Sequence, residues 1–504
     1  MNKTLQQLLD GIEIKALRGS TDVVVRGLCY DSRRVQPGDV FFAWRGRQQD
    51  GHRYLADAVR GGAAVLVVEE APAEAGAATV VVVADSRRAM ALMARTFHED
   101  PSQGLAVVGV TGTNGKTTTT YLLEAILQEA SLAPAVIGTV NYRFGGEIHN
   151  APHTTPEAVE LLATVAGFRH QGARSLVMEV SSHALDQYRA DGIRFGVGVF
   201  TNLTPEHLDY HGDMDSYFAS KLRLFAELLP QSGGRPVANI DDSYGRRLAA
   251  MLPNVLTCGR SPEAHVRPEQ LSVTLHGIHG TVHTPVGTVS VASRLVGDYN
   301  VENLLGAIGA AVALNLPPAV IERGIAGAVA VPGRLEPVEN DRGAVLLVDY
   351  AHTGDALDRV LQALQALSPK RILTVFGCGG DRDPRKRPVM GEVTARRSDI
   401  AIVTSDNPRT EDPLAIIDMI RGGVAAIHPR EWTRQEASAA AGRGYVVIPD
   451  RREAIRFAVD LLRPGDVLLV AGKGHEDYQI LGTTRIHFDD REELRAALAA
   501  GGTL

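Results

Sequence analysis

Five times between residues 344 and 476 a short apolar run ends on a cluster of glycines or charged residues. The runs are "AVLLVDYAH" (344–352), "RILTVFGCGG" (371–380), "DIAIVTSDNPR" (399–409), "GYVVIPD" (444–450) and "DVLLVAGKGHE" (466–476). Helical patterns such as "REAIRFAVDLLR" (452–463) separate most of them. An apolar run without polar alternation suits a strand covered on both faces, and strands alternating with helices require a parallel sheet. The same arrangement occurs upstream, in "LAVVGV" followed by the helical "TTTYLLEAILQEA", in "SLVMEVSSH" (175–183) and in "VGVFTNLTPEHLDYH" (197–211). Ligands of open α/β sheets bind at the carboxyl ends of the strands, where this chain concentrates its glycines and charges.

"GVTGTNGKTT" (109–118) sits between such a strand and its helix. That is the setting of a phosphate-binding loop, whose backbone N–H groups and helix N-terminus face the anion. Lys116 supplies a cation for the β- and γ-phosphates, and the Thr117 hydroxyl can ligate Mg2+. The strict G-x-x-x-x-G-K-[ST] spacing is not met, because position 110 is Val and the glycine falls at Gly109.

The predicted fold is α/β in three domains. Residues 1–101 hold short strands in 22–30 and 64–70 around a helix in 54–62. Residues 102–335 form a P-loop ATPase-type parallel sheet, and residues 336–504 a Rossmann-like, doubly wound domain. The proline- and glycine-bearing "HEDPSQG" (98–104) and "VPGRLEPVENDRG" (331–343) read as the junctions. A length of 504 residues suits about three domains. There is no internal repeat and no low-complexity tract.

A net charge of -7 without a basic block argues against broad affinity for nucleic acid. An anionic ligand must then be held by local arrangements. The 3 cysteines, Cys29, Cys258 and Cys378, are too far apart in sequence to form a metal-spaced pair and suit a reducing cytoplasm. "MNKTLQQLLDGIEIK" lacks the apolar core of a signal peptide, and no membrane-length apolar stretch exists. A cytosolic protein is expected.

Glu179 ends the strand "SLVME", where a carboxylate can hold a nucleotide's metal; a surface acid at a loop start is the plainer alternative. Residues 201–217 gather His207, Asp209, His211, Asp213 and Asp215. Lys221 borders an apolar stripe of Phe218, Leu222, Phe225 and Leu229, which suits a snorkelling lysine.

"TGTNGKT" (111–117) resembles the loop of the Mur ligase family, ATP-dependent amide-forming enzymes of peptidoglycan precursor synthesis, and the resemblance extends over nearly the whole chain. It implies that Lys116, Glu179, His207 and Lys221 are catalytic. Gly112, Thr113, Asn114, Gly115, Lys116, Thr117 and Thr118 would bind ATP, joined by Asn303, Arg334 and, after domain closure, Asp349. It implies Mg2+, two ions, held by Thr117, Glu179, His207 and Lys221, the last carbamylated to N6-carboxylysine.

"YDSRRVQPGDVFFAWRGRQQDGHRY" (30–54) resembles the module that holds the UDP-muramoyl peptide in the member adding the third amino acid. Tyr30, Ser32, Arg47, Gln48 and Gln49 match its uridine side. Thr154, Thr155, Ser181, Gln187 and Arg189 match contacts to the same substrate, UDP-MurNAc-L-Ala-D-Glu. Three strand tips then carry Arg382, the segment Asp406-Asn407-Pro408-Arg409, and Gly472 with Glu476. Two arginines plus carboxylates suit an amino acid with both ammonium and carboxylate at its far end. meso-Diaminopimelate has both, whereas lysine has only the ammonium, and Asp-Asn-Pro-Arg is the family's signature for diaminopimelate addition. Other readings are a lysine-adding relative, a more distant folylpolyglutamate synthetase, and an inactive ATP-gated homologue. The last would require loss of Lys116, Glu179, His207 or Lys221, and all are present. A monomer is expected.

Overall fold

The computed structural model describes residues 3–46 and 49–500. The chain forms two compact units. The first comprises Met1–Glu269, Val282–Val289 and Glu302–Gly327, and the second Gln270–Thr281, Ser290–Val301 and Ala328–Leu504.

The first unit contains two larger sheets. The N-terminal one runs Ile14–Arg18, Thr79–Val83, Val65–Val68, Asp39–Phe42, Gly27–Cys29. Its first pair is antiparallel and the others are parallel. The stretch 22–30, read as one strand, divides. Val24–Val25 pairs with Lys3–Thr4, and Gly27–Cys29 joins the five-stranded sheet. The strand Thr79–Val83, an unbroken β-branched run, adds to the strands expected in this region. Residues 98–104 are not a solvated linker. Ser102 is buried, its hydroxyl accepts the Arg194 N–H at 3.0 Å, and Asp100 pairs with the Arg194 guanidinium.

The central sheet has eight strands, from Glu147–Asn150 and Asn141–Phe144 through Pro134–Ile137, Ser175–Glu179, Ala106–Thr111, Val197–Phe200 and Arg235–Asn239 to Leu256–Cys258. The first two form an antiparallel hairpin on Pro134–Ile137, and the remaining pairs are parallel. Glu179 lies opposite Val110, so its tip adjoins the glycine loop directly. Leu161, Leu162, Val165 and Phe168 of helix Ala158–His170 share a buried cluster with Phe195, Phe200, Phe218 and Phe225. Burial of such side chains contributes about 1.5–3 kcal/mol each and fixes the sheet on which the loop stands. A three-stranded sheet, Arg267–Thr274, Gly277–Thr284 and Gly287–Ser293, was not foreseen; "RPEQLSVT" is mostly polar and partly exposed, so hydrophobicity alone does not announce a strand.

The second unit's sheet runs Glu336–Val338, Val345–Asp349, Val467–Ala471, Ile372–Phe376, Ile400–Val403, Gly444–Val447. Only the first pair is antiparallel. Leu347 and Leu469 enter one core, while Leu346, Val348, Leu468 and Val470 enter the other. Burial on both faces explains the unbroken apolar runs. Arg451 and Asp490, both fully buried, form an ion pair at 2.7 Å between helices Arg451–Asp460 and Asp490–Ala500.

Candidate active site

The glycine loop is tightened by glycines that no other residue could replace without strain. At Gly112 (φ +148) a Cβ would lie 1.9 Å from Thr201 Oγ1, and at Gly115 (φ +85) 2.1 Å from Asn303 Oδ1. Gly115 also caps helix Lys116–Glu129 at its N-terminus. The Thr113 N–H donates to the Asn202 carbonyl (2.8 Å), and the Asn114 N–H to Asn202 Oδ1 (2.9 Å). Lys116 Nζ donates to the carbonyls of Gly112 (3.0 Å) and Thr113 (2.8 Å). Thr117 and Thr118 are buried in the helix's first turn.

Glu179 is 1% exposed, and its carboxylate accepts from Thr117 Oγ1 at 3.0 Å. Thr139 donates to it through N–H (3.0 Å) and hydroxyl (2.9 Å). The Thr155 hydroxyl donates to the Glu179 carbonyl (2.9 Å) and accepts from the Ser181 N–H (3.1 Å), while Thr154 Oγ1 lies 3.0 Å from Thr139 Oγ1.

Lys221 does not snorkel. It is 1% exposed, with Nζ 2.9 Å from the Gly112 carbonyl and 4.7 Å from the Tyr217 ring centroid. Burial, reinforced by the Lys116 charge, pushes its pKa well below the usual lysine value. His207 has φ +57, and its ring lies 4.9 Å from His183. Burial and then the neighbouring His207 and His211 lower the His183 pKa to about 4. Among the described residues no group of three or more His, Cys, Asp or Glu is arranged to hold a metal ion. Glu179 with Thr117 still offers hard oxygen donors of the type Mg2+ prefers.

The nucleotide-sugar positions form a network within the first unit. Gln187 Oε1 accepts from Arg189 Nη2 (2.7 Å) and from Arg87 Nη1 (2.8 Å). Arg189 also pairs with Glu157 at 2.9 Å and donates to the Thr155 carbonyl at 3.0 Å. Tyr30 donates to Glu160 at 2.9 Å and sits 5.9 Å from the Trp44 ring. The sequence reading missed Arg87, whose guanidinium lies 4.5 Å over Trp44 and joins the N-terminal helix Ser86–Phe97 to Gln187. Ser32 is half-buried in a short helical turn, and Gln49 is exposed. Arg47 and Gln48 lie outside the described residues. Asn303 is buried near Gly115.

In the second unit, Asp349 is buried and accepts from the N–H groups of Leu335 (2.7 Å) and Ala351 (2.8 Å). Burial raises its pKa, and Arg334 and those N–H groups oppose the rise. The Arg334 guanidinium lies 5.3 Å from the Tyr350 ring centroid.

The strands before the three polar tips, Val467–Ala471, Ile372–Phe376 and Ile400–Val403, are consecutive neighbours in the sheet. Asn407 Nδ2 donates to Glu476 Oε2 (2.9 Å), and Arg409 Nη1 to the Gly380 carbonyl (2.7 Å). Gly472 (φ +118) lets the backbone approach Asp406, where a Cβ would be 2.6 Å from Oδ2; at Gly380 it would be 1.9 Å from the Pro408 carbonyl. Arg409 itself has φ +52, and its N–H donates to the Ile480 carbonyl (3.1 Å). Arg382 is exposed at the rim. Sequence reasoning also missed Lys473, fully buried between Asp406, Asn407 and Glu476, although it follows Gly472 in the quoted motif.

Residues 110–311 match the Mur ligase middle domain, 333–474 the Mur ligase glutamate ligase domain, and 24–98 the Mur ligase family catalytic domain. The chain is 52% identical over 500 residues to a UDP-N-acetylmuramoyl-L-alanyl-D-glutamate–2,6-diaminopimelate ligase of Geobacter metallireducens, covering 98% of each chain. It is 46% identical over 484 residues to a protein of the same name in Gloeobacter violaceus, covering 96% of this chain and 95% of that one. A solved structure of a ligase of that name superposes with a TM-score of 0.74 at 32% identity, covering 100% of both chains. The chain belongs to the Mur ligase family of ATP-dependent, amide-forming ligases.

Proposed function

We propose that this protein joins meso-diaminopimelate to the D-glutamate γ-carboxylate of UDP-MurNAc-L-Ala-D-Glu, with ATP as co-substrate, in peptidoglycan precursor synthesis. The observation that carries the amino-acid assignment is the second unit's pocket edge, where adjacent strand tips carry Asp406, Arg409 and Glu476, with Lys473 between the two carboxylates. A pocket with charges of both signs suits a ligand end that is both ammonium and carboxylate.

A carboxylate is a poor electrophile, so it must be activated. The substrate's γ-carboxylate oxygen attacks the γ-phosphorus of ATP, giving an acyl phosphate and ADP. The amine of diaminopimelate then adds to the acyl carbon, loses a proton, and phosphate departs as the amide forms. Lys116 and the loop N–H groups offset the charge on the transferring phosphoryl group. Thr117 and Glu179 would hold Mg2+, which would spread the charge of the triphosphate, and His207 and Lys221 as its carbamate would complete the proposed metal set. Gly112–Thr118, Asn303, Arg334 and Asp349 are assigned to ATP. Tyr30, Ser32, Gln49, Thr154, Thr155, Ser181, Gln187 and Arg189 are assigned to the nucleotide sugar, with Arg47 and Gln48. Arg382, Asp406–Arg409, Gly472 and Glu476 are assigned to diaminopimelate.

The functional modules are taken as residues 1–101, 102–335 and 336–504, in a monomeric cytoplasmic enzyme. No helix among the described residues is long and apolar enough to cross a membrane. A phosphate-release assay with the UDP-muramoyl dipeptide and a panel of amines tests the assignment. Turnover is expected with meso-diaminopimelate far above L-lysine, and dominant turnover with lysine overturns it.

A further inference from the structure

Lys473 has no part in the assignments above, yet its ammonium is fully buried at the centre of the amino-acid edge. Nζ lies 3.3 Å from Glu476 Oε2, 3.4 Å from Asn407 Oδ1 and 3.9 Å from Asp406 Oδ1. The Tyr478 ring centroid is 5.4 Å away. Gly472 (φ +118) and Gly474 (φ +55) flank it, and a Cβ at Gly474 would stand 2.6 Å from Tyr350 Cβ. The chain is therefore pressed inward at this position, and a buried ammonium persists only where partners compensate its desolvation.

These contacts orient the pocket. Asn407 Oδ1 receives donors from Lys473 and from the Ile480 N–H (3.0 Å), which turns its Nδ2 toward Glu476 Oε2 (2.9 Å). Lys473 donates to the same Glu476 oxygen. Electrostatically, the two carboxylates Asp406 and Glu476 are balanced by two cations, Lys473 and Arg409. The Arg451–Asp490 pair beneath, whose Arg451 Nη2 donates to the Ala471 carbonyl at 3.0 Å, is neutral in itself, and Arg382 stands at the exposed rim.

We propose that Lys473 is a positioning residue that sets the Asn407 amide and Glu476 carboxylate for the distal ammonium of the amino acid, and offsets the charge of the buried carboxylates so that a zwitterionic end is preferred to a purely cationic one. This rests on the diaminopimelate reading. Removing the Lys473 charge makes the edge one unit more negative, which favours the side chain of lysine.

The test uses the full-length enzyme carrying Lys473→Met or Lys473→Arg, with ADP release measured for meso-diaminopimelate and for L-lysine. Lys473→Met should raise KM for diaminopimelate about tenfold or more, and move the kcat/KM ratio of the two amines toward lysine by a similar factor. KM for ATP and for the nucleotide sugar should stay within about twofold, which a general loss of structure would not allow. Lys473→Arg, which keeps the charge, should retain the wild-type preference. An unchanged amine ratio in Lys473→Met overturns the proposal. If Lys473→Met does not fold, judged by the thermal shift on adding ATP, a lost preference in a folded Lys473→Arg overturns it and a kept preference supports it. Wild-type enzyme that itself prefers lysine refutes the underlying function reading, whatever Lys473 does.

Discussion

At the phosphate loop of the first unit, the Lys116 ammonium rests on neutral acceptors, the Gly112 and Thr113 carbonyls, and the Gly112 carbonyl also accepts from Lys221 Nζ. At the amino-acid edge of the second unit, Lys473 instead lies among carboxylates and an amide, and Arg409 holds the Gly380 carbonyl. Both edges are glycine-rich tips of parallel strands. The difference follows from their proposed ligands. A triphosphate brings a large negative charge and needs a cation, here Lys116, that turns from carbonyls to phosphates at little cost. An amino-acid end of zero net charge needs a fixed, balanced frame, since discrimination comes from groups that a wrong ligand leaves unpaired.

The contrast is broken most severely by Lys116→Ala. Loss of the phosphate cation should lower kcat/KM by about a thousandfold or more, with KM for diaminopimelate nearly unchanged, as measured by ADP release. Next is Arg409→Ala, expected to raise KM for diaminopimelate about a hundredfold while leaving KM for ATP alone, because an arginine–carboxylate contact is worth about 2–3 kcal/mol. An equal rise in the ATP KM would show that the two edges are not specialised in this way.

The two edges also differ in how much the sequence reveals. Backbone chemistry dictates the glycine loop: the positive φ of Gly112 and Gly115 and the helix start at Lys116 leave a recognisable spacing, so loop, strand and helix are legible. Glu179 is legible as the end of an apolar strand, but its contact with Thr117 depends on sheet order, which only the fold supplies. At the second edge, Asp406–Arg409 and Glu476 stand out as polar tips, yet Lys473 reads like any lysine between glycines. Its burial comes from residues 66 and 67 positions earlier in the chain closing over it. Lys221 misleads for the same reason, since a helix that borders an apolar stripe does not disclose that the glycine loop covers the lysine. The small sheet within 267–293 escapes because its strands carry too little hydrophobic contrast.

A smaller pair of effects sharpens the comparison from the backbone side. Gly115→Ala places a Cβ 2.1 Å from Asn303 Oδ1 at φ +85, and Gly472→Ala places one 2.6 Å from Asp406 Oδ2 at φ +118. Each should lower stability by about 1–3 kcal/mol, seen in denaturant unfolding. The kinetic consequences should diverge, with KM rising for ATP in Gly115→Ala and for diaminopimelate in Gly472→Ala. If both variants raised the same KM, the assignment of one edge would be wrong.

The mildest prediction concerns Lys221. Because burial and the Lys116 charge lower its pKa, the ammonium gives up its proton at a lower pH than an ordinary lysine, and the neutral amine persists from there upward. The neutral amine is the form that adds to CO2, forming an N–C bond and releasing a proton to give a carbamate. Enzyme depleted of CO2 should therefore lose activity several-fold and regain it with bicarbonate, in line with a metal ligand that binds in part without it. Carbon-13 bicarbonate should give a carbamate signal whose intensity grows as pH rises through the lowered pKa, and Lys221→Met should abolish it. A signal that appears only near the pH where exposed lysines deprotonate would mean that burial does not prepare this lysine. The phosphate edge would then contain two ordinary cations, differing from the amino-acid edge in charge alone.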